Sequence, residues 1–459
     1  MLIRFSVENF LSFKDRVVFS MLPGKGLLKP FHKSSPVNGV SALKAAIVFG
    51  ANASGKTNLI KAVDFGKILI LRGVKSEQFL QYQNFRLDTQ ALQANSRMEY
   101  EIQHRGKNYA YGFVFNKHEI VEEWLFEINK KTDVKIFERD NRKSEQFELG
   151  PLLKRNKKEE EKQFLKFIAK GTPNNQLFLT EIRNRKVKEN VSDISDLLNV
   201  IDWFQNALNV IFPDDKYNIG VKSELKEDSK VQATFKELLQ YFDTGITDIC
   251  LEPVEFENVD IPASARERIL NDIADVKGEW NRIALVSPSN TTYFISKGKD
   301  GNIIVEKLMT VHHVKGSEKI SLFDTSEESD GTNRIIDFIP VIIDLLEGGN
   351  VFLIDEMERS LHPNLIYDLF DLFLAKSQHI NSQLIIASHE STLLTQKLLR
   401  KDEIWFIVKD KEGASQLHSL EEYNVRFDKE IRKDYLLGRF KGVPRIGNRK
   451  NLTVLPQPA

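Results

Sequence analysis

Ala46-Ile47-Val48-Phe49-Gly50-Ala51-Asn52-Ala53-Ser54-Gly55-Lys56-Thr57-Asn58 is the stretch on which the reading of this chain turns. Ala45 to Phe49 is a short apolar run, and Asn58 to Val63 follows with helical apolar spacing. Between them Gly50, Gly55, Lys56 and Thr57 keep the spacing G-x-x-x-x-G-K-[ST]. Glycines at those places let backbone N–H groups converge on phosphate oxygens, the lysine reaches the outer phosphates, and the hydroxyl ligates Mg²⁺. Strand, loop and helix in that order put a phosphate at a helix N-terminus. A chance Gly/Ser turn carrying a lysine has no reason to have both flanks.

The rest of the chain limits the alternatives. Its 459 residues exceed one ordinary core and imply a large domain with an insertion, or two to three units. Sixty-five Lys and Arg balance 65 Asp and Glu, so no bulk positive field announces nucleic acid or a membrane surface, and any such binding has to be local. The single cysteine, Cys250, excludes an internal disulfide framework and a cysteine zinc cluster, and it fits a reducing, cytoplasmic setting. No run of about eighteen apolar residues is present, so neither a membrane span nor a membrane partner is expected.

Working outward from the loop, Leu2 to Met21 alternates as a pair of strands. Phe85–Leu87, Met98–Ile102, Tyr109–Phe115 and Ile120–Ile128 predict an antiparallel sheet beside the nucleotide. From about Leu152 the chain turns charge-dense, with Phe164, Leu165, Ile168, Leu197, Val200 and Trp203 at helical spacing. The expected organisation is an N-terminal lobe over 1–151, a largely helical insertion over 152–242, and a C-terminal lobe over 243–459. In the last lobe Asn333–Leu346 predicts a buried helix kinked at Pro340, ended by Gly348-Gly349. Val351–Ile354 and Gln383–Ala387 predict buried parallel strands.

Three further motifs carry chemistry. Asp355-Glu356 closes an apolar strand, where Asp355 can hold Mg²⁺ and Glu356 can polarise the water that attacks a γ-phosphate. The bland alternative, an acidic pair capping the next helix, loses weight once a phosphate loop precedes it. His389 stands just past the next strand, placed to hydrogen-bond the γ-phosphate and sense hydrolysis. Glu327-Glu328-Ser329-Asp330-Gly331-Thr332-Asn333-Arg334 is a polar turn opening a helix, either a second phosphate-reading surface or an ordinary N-cap.

The set GANASGKTN, ESDGTNR, VFLIDEMERSLHP and IIASHES, in that order, resembles the ABC-type ATPase heads of SMC-like, RecF-like and OLD-like proteins. The resemblance implies an α/β head, a P-loop mixed sheet with an antiparallel β subdomain, and two heads clasping ATP head-to-tail. It implies ATP and Mg²⁺ as cofactors, with Gly50, Asn52, Ser54, Gly55, Lys56, Thr57 and Asn58 as the nucleotide loop. Ser329 and Gly331 become the signature, Asp355 and Glu356 the Walker B pair, Ser360-Leu361-His362 the D-loop, and His389 the switch histidine. Thr57 and Asp355 are the implied Mg²⁺ ligands, and Glu356 and His389 the implied catalytic pair. Gln83 is a candidate for the glutamine loop. The signature reads Ser-Asp-Gly-Thr where transporters have Leu-Ser-Gly-Gly-Gln, and sustained heptads for coiled-coil arms are missing. The end segments IRFSVENFLSFKD and Tyr435–Pro444 are similar to stand-alone ATPases encoded beside a toxin or nuclease in bacterial phage-defence operons, among them RloA-like proteins and the AriA ATPases of PARIS systems.

The expected function is therefore a Mg²⁺-dependent ATPase that self-associates around ATP and holds or releases an effector toxin or nuclease. The alternative is a RecF- or SMC-type repair ATPase that closes on DNA or RNA. Its basic footprints would be Arg183, Arg185, Lys186 and Lys188, or Arg432, Lys433, Arg439, Lys441 and Arg445. A nuclease within the chain itself is disfavoured, because Asp402-Glu403, Asp410 and Glu421-Glu422 are scattered and form no Asp-x-Asp strand end.

Overall fold

A computed structural model describes residues 1–75, 78–155, 157–185, 187–217, 229–274, 280–298, 300–423 and 431–440. Lys186, Lys441, Arg445 and the end of the Tyr435–Pro444 motif lie outside the described residues. The chain divides into two units, one of Met1–Phe212, Gly348–Met357 and Phe370–Ala459, the other of Pro213–Glu347 and Glu358–Leu369. These cut across the three consecutive segments read from the sequence, because strands distant along the chain pair with one another.

The first unit contains two sheets. One is antiparallel, in the order β2-β1-β4-β5-β6-β7-β8. Its strands are β1 (Leu2–Glu8), β2 (Val17–Ser20), β4 (Ser96–His104), β5 (Lys107–Phe115), β6 (Ile120–Glu127), β7 (Val134–Asp140) and β8 (Phe147–Leu149). Along β4, Ser96, Met98, Tyr100 and Ile102 alternate inward, the period of a half-buried strand. Tyr100 Oη donates to the Val63 carbonyl of the helix Lys56–Arg72 at 3.1 Å. That approach requires Gly66, where a Cβ would lie 1.9 Å from the Tyr100 hydroxyl.

The other sheet runs β18-β17-β3-β16-β15-β9. It comprises β3 (Ala45–Phe49), β9 (Leu208–Ile211), β15 (Val351–Asp355), β16 (Gln383–Ser388), β17 (Ile404–Lys409) and β18 (Ser415–Ser419). Strands β9, β15, β16, β3 and β17 are parallel, and β18 closes one edge antiparallel. Every residue of β3, β15 and β16 is buried, as expected for strands covered on both faces. The segment 152–242 is thus not helical throughout. It contributes β9 to this sheet, in register with Val351–Ile354. Four residues were too short a run to separate from the helical pattern around them.

The short helix Phe178–Asn184 is tied to the antiparallel sheet by a buried carboxylate. Glu123 accepts from the Phe178 and Leu179 N–H groups at 2.6 and 3.1 Å and from Tyr111 Oη at 2.9 Å. Burial pushes its carboxyl above the ordinary range, while Arg139 and these donors pull it down.

Phe85–Leu87 is irregular rather than a strand. Side chains replace the ladder there: Phe85 N–H donates to Asn9 Oδ1, and Asn84 Nδ2 donates to the Ala91 and Leu92 carbonyls.

The second unit is built on β10 (Asp248–Pro253), β11 (Trp280–Val286), β12 (Thr292–Lys297), β13 (Ile303–His313) and β14 (Ile320–Asp324). Their order is β10-β13-β12-β11, with β14 also paired to β13. The helices Ser229–Tyr241, Ala263–Ala274 and Asp330–Glu347 accompany them. The last runs through Pro340, and eleven of its 18 residues are buried.

Candidate functional site

In the first unit the neighbouring parallel strands β15, β16 and β3 end at one level. Asp355 is opposite Ala387, Ala387 opposite Val48, and Ser388 opposite Phe49. Glu356, His389 and Gly50 therefore leave the sheet side by side, at the carboxyl ends of strands, where open α/β sheets hold their ligands. The sequence placed these groups up to 339 positions apart, 389 minus 50; strand register brings them together.

The glycine loop lies against β17 and β18. A Cβ on Gly50 would meet Ser54 Oγ at 2.4 Å and the Ile407 carbonyl at 2.6 Å. At Gly55, φ is +117°, and a Cβ would meet Ser415 Oγ at 2.3 Å and Ser12 Oγ at 2.8 Å. Packing behind the loop thus demands both glycines. Ser415 Oγ lies 2.6 Å from the Ser54 carbonyl and 2.8 Å from Ser12 Oγ, and Asn58 Nδ2 donates to Ser12 Oγ at 2.8 Å. Ser12 and Ser415 are braces that sequence reasoning missed. A serine in a hairpin turn and another opening an edge strand carry no motif.

The loop suits a polyphosphate. The helix Lys56–Arg72 opens after Gly55, which has no side chain to cap it, so the helix N-terminus presents backbone N–H groups toward the loop. Lys56 Nζ donates to the Gly50 carbonyl at 2.8 Å and contacts that of Ala51 at 3.3 Å, folded along the loop. Ser54 Oγ is buried and has no hydrogen-bond partner among the described residues. Asn52 and Ala53 form the exposed tip, and Thr57 and Asn58 are half-buried at the first helical turn. These donors fit ATP, and Thr57 and Asp355 supply the oxygen chemistry a magnesium ion takes.

Asp355 is 1% exposed at the end of β15. Glu356 has φ +48°, a left-handed backbone that costs an L-residue about 1 kcal/mol, and its N–H donates to the Ala387 carbonyl at 3.0 Å. The sheet thus holds Glu356 in a turn that aims it off the strand. His389 is exposed beyond β16. The carbonyl of exposed Gln83 accepts from the Leu11 N–H at 2.8 Å, which places it next to the brace Ser12.

In the second unit Ser329 heads the helix Asp330–Glu347. Its Oγ accepts from the Thr332 N–H at 3.1 Å, the geometry of an N-cap. Ser329 remains exposed. Gly331 abuts the loop Ser360-Leu361-His362: a Cβ there would lie 3.0 Å from the Ser360 carbonyl, and Ser360 is itself left-handed at φ +65°. The structure thus joins the turn Ser329–Gly331 to the segment Ser360-Leu361-His362 within one unit.

Six of the remaining candidates have partners within the chain. Asp402 pairs with Arg400 at 2.6 Å and Glu403 with His32 at 2.8 Å. Arg185 pairs with Glu181 and Arg439 with Asp434, both at 2.6 Å. Arg183 donates to the Leu71 carbonyl and Arg432 to Ser391 Oγ.

Among solved structures the chain is similar to an SMC head domain from Thermotoga maritima, at 9% identity, TM-score 0.36, covering 91% of this chain and 98% of that one. It is also similar to an Smc head bound to the C-terminal winged-helix domain of ScpA, at 11% identity, TM-score 0.38, covering 91% and 97%. A third is the Smc head with an extended coiled coil bound to the C-terminal domain of ScpA derived from Pyrococcus furiosus, at 11% identity, TM-score 0.32, covering 96% and 99%. No curated protein matches the chain. The family described as "AAA domain, putative AbiEii toxin, Type IV TA system" matches residues 45–395, from the first residue of β3 to beyond His389, and the chain belongs to that family.

Proposed function

We propose that this protein is a Mg²⁺-dependent ATPase of ABC type whose copies associate head-to-tail around ATP and control a partner toxin or nuclease in bacterial defence against phage. The observation that carries this reading is the strand register that sets Gly50, Glu356 and His389 at adjoining strand ends. Lys56, the first N–H groups of its helix and Ser54 bind the phosphates, while Thr57 and Asp355 hold the metal. A magnesium ion held there would neutralise charge on the outer phosphates. Glu356 orients the attacking water and takes its proton, and His389 hydrogen-bonds the γ-phosphate. Ser329 and Gly331 of one copy close on the ATP held by the other, because the signature turn exposes its hydroxyl at a helix N-terminus.

The family's toxin–antitoxin description supports the control of a partner toxin, and the kinship to RloA-like and AriA ATPases rests on the two ends of the chain alone. A repair role on DNA or RNA is the weaker reading, since Arg183, Arg185, Arg432 and Arg439 are engaged within the chain.

The test is the solution mass of the Glu356→Gln protein with and without ATP and Mg²⁺, alone and with the product of the neighbouring gene. A nucleotide-dependent rise in mass with the neighbour bound is expected. An unchanged mass with no neighbour bound refutes the scaffold.

A further inference from the structure

The signature turn is not held by its helix alone. Its residue Glu328 directs its carboxylate away from the helix and back into the sheet of the second unit. There Thr310 Oγ1 donates to Glu328 Oε1 at 2.6 Å, and His312 Nε2 meets the same oxygen at 2.7 Å. Both donors belong to β13 and stand two residues apart, on one face of the strand. Thr310 is fully buried, the Glu328 side chain is 9% exposed, and the His312 ring packs 4.6 Å from the ring of Phe323 on β14.

A second set of bonds grips the same turn from the helix side. The buried Asn333 Nδ2 donates to the Thr325 carbonyl at 2.8 Å and to the Glu328 carbonyl at 3.3 Å. Upstream, Asp324 Oδ1 accepts from Thr291 Oγ1 at 2.9 Å and from the Ser326 N–H at 3.0 Å, and Lys307 pairs with the same carboxylate. Residues 324–328 are thus pinned to the sheet on one side and to the helix on the other. Ser329, the next residue, is left exposed.

We infer that Glu328, Thr310 and His312 are positioning residues for Ser329, and that the sheet β10–β14 is the platform that sets the signature hydroxyl before a second copy arrives. This rests on the head-to-tail reading above. The physical reason is pre-organisation. A turn held by charge-assisted hydrogen bonds in a largely dry site loses little freedom on docking, whereas a turn free to sample other conformations must be ordered at that moment. None of the three side chains needs to touch nucleotide. Their contribution falls on association and leaves the intrinsic ATP affinity of one copy unchanged.

The experiment uses the full chain carrying Glu356→Gln and follows protomer mass against ATP concentration with Mg²⁺ present. To this background His312→Ala, Glu328→Ala and the near-isosteric Thr310→Val are added singly. Ser329→Arg in the same background, barred from docking, reports nucleotide affinity of the single copy, and each positioning variant is also measured on it. The expected result is an ATP midpoint for association raised about tenfold by His312→Ala or Glu328→Ala, the effect of losing a buried charge-assisted bond. Single-copy affinity stays unchanged, and His312→Gln, which keeps a donor, restores most of the shift. Unchanged midpoints in all three variants, with Ser329→Arg still abolishing association, overturn the positioning role and leave the head-to-tail reading intact. Equal losses of single-copy affinity and association also overturn it, since they mark a merely structural network. If the Glu356→Gln background does not associate with ATP at all, the head-to-tail reading fails first and this inference with it.

Discussion

The loop Gly50–Gly55 and the turn Glu328–Gly331 each open a long helix, of 17 and 18 residues, and they are held by opposite means. The first has no side-chain cap; it lies on β17 and β18 through glycines and is braced by Ser12 and Ser415 from outside the loop. The second caps itself through Ser329 and is anchored by its own carboxylate, Glu328. A helix start without a side-chain cap invites an anion to complete it. A helix start already capped is complete in one chain, and what it offers outward is an exposed hydroxyl. Under the proposed function the contrast assigns the two units different duties, one to hold a nucleotide and the other to read it.

The sharpest way to break that contrast is at Lys56. Lys56→Ala should cost about 100-fold or more in ATP affinity by calorimetry, because a charge-assisted phosphate contact is lost. An affinity close to that of the parent protein would remove the phosphate role from the loop. Glu356→Gln should lower ATP turnover about 100-fold or more, the scale of a lost general base, with binding retained. Turnover at the parent rate would show that the left-handed turn after β15 serves only the fold.

Ser329→Arg sharpens the comparison from the other side. Nucleotide affinity and single-copy stability should remain, while ATP-dependent mass increase disappears in light scattering. A weaker effect is expected at Ser415→Ala, which removes the brace and leaves every phosphate donor in place. A loss of about fivefold in ATP affinity corresponds to one ordinary hydrogen bond.

The smallest effect belongs to neither duty. Asp140 is held by Arg142, which lowers its carboxyl from the usual 3.8 to about 2. A carboxyl depressed by folding adds stability above its unfolded value, and that stability is lost as pH falls through the folded one. Asp140→Asn should therefore lower the melting temperature slightly at pH 7. The gap from the parent should close between about pH 4 and pH 2, and ATP turnover should not change. A gap that persists at pH 2 would mean that Asp140 acts through packing and not through charge.

Much of this was legible in the residues because the signals are local. Five buried apolar residues before Gly50 and four before Asp355 read as strands, since covered parallel strands need continuous apolar runs. The helix from Asp330 was visible in its apolar faces, and Pro340 did not end it. Phe85–Leu87 misled because its composition suits a strand while Asn9 and Asn84 satisfy the local backbone by other means. Leu208–Ile211 was hidden inside a helical pattern, since its only credential is a partner strand about 140 residues away, Val351 pairing with Leu208.

By itself, then, the sequence determined which side chains are candidates for the chemistry and which short runs are strands or helices, because spacing and apolar pattern act within a few residues. Only the tertiary structure decided their company. Strand register set Glu356 and His389 beside Gly50, and packing made Gly50 and Gly55 obligatory and recruited Ser12 and Ser415. A two-residue spacing on β13 gave Thr310 and His312 the carboxylate of Glu328. Those pairings depend on long-range hydrogen-bond ladders and shape, which no local window of the chain contains.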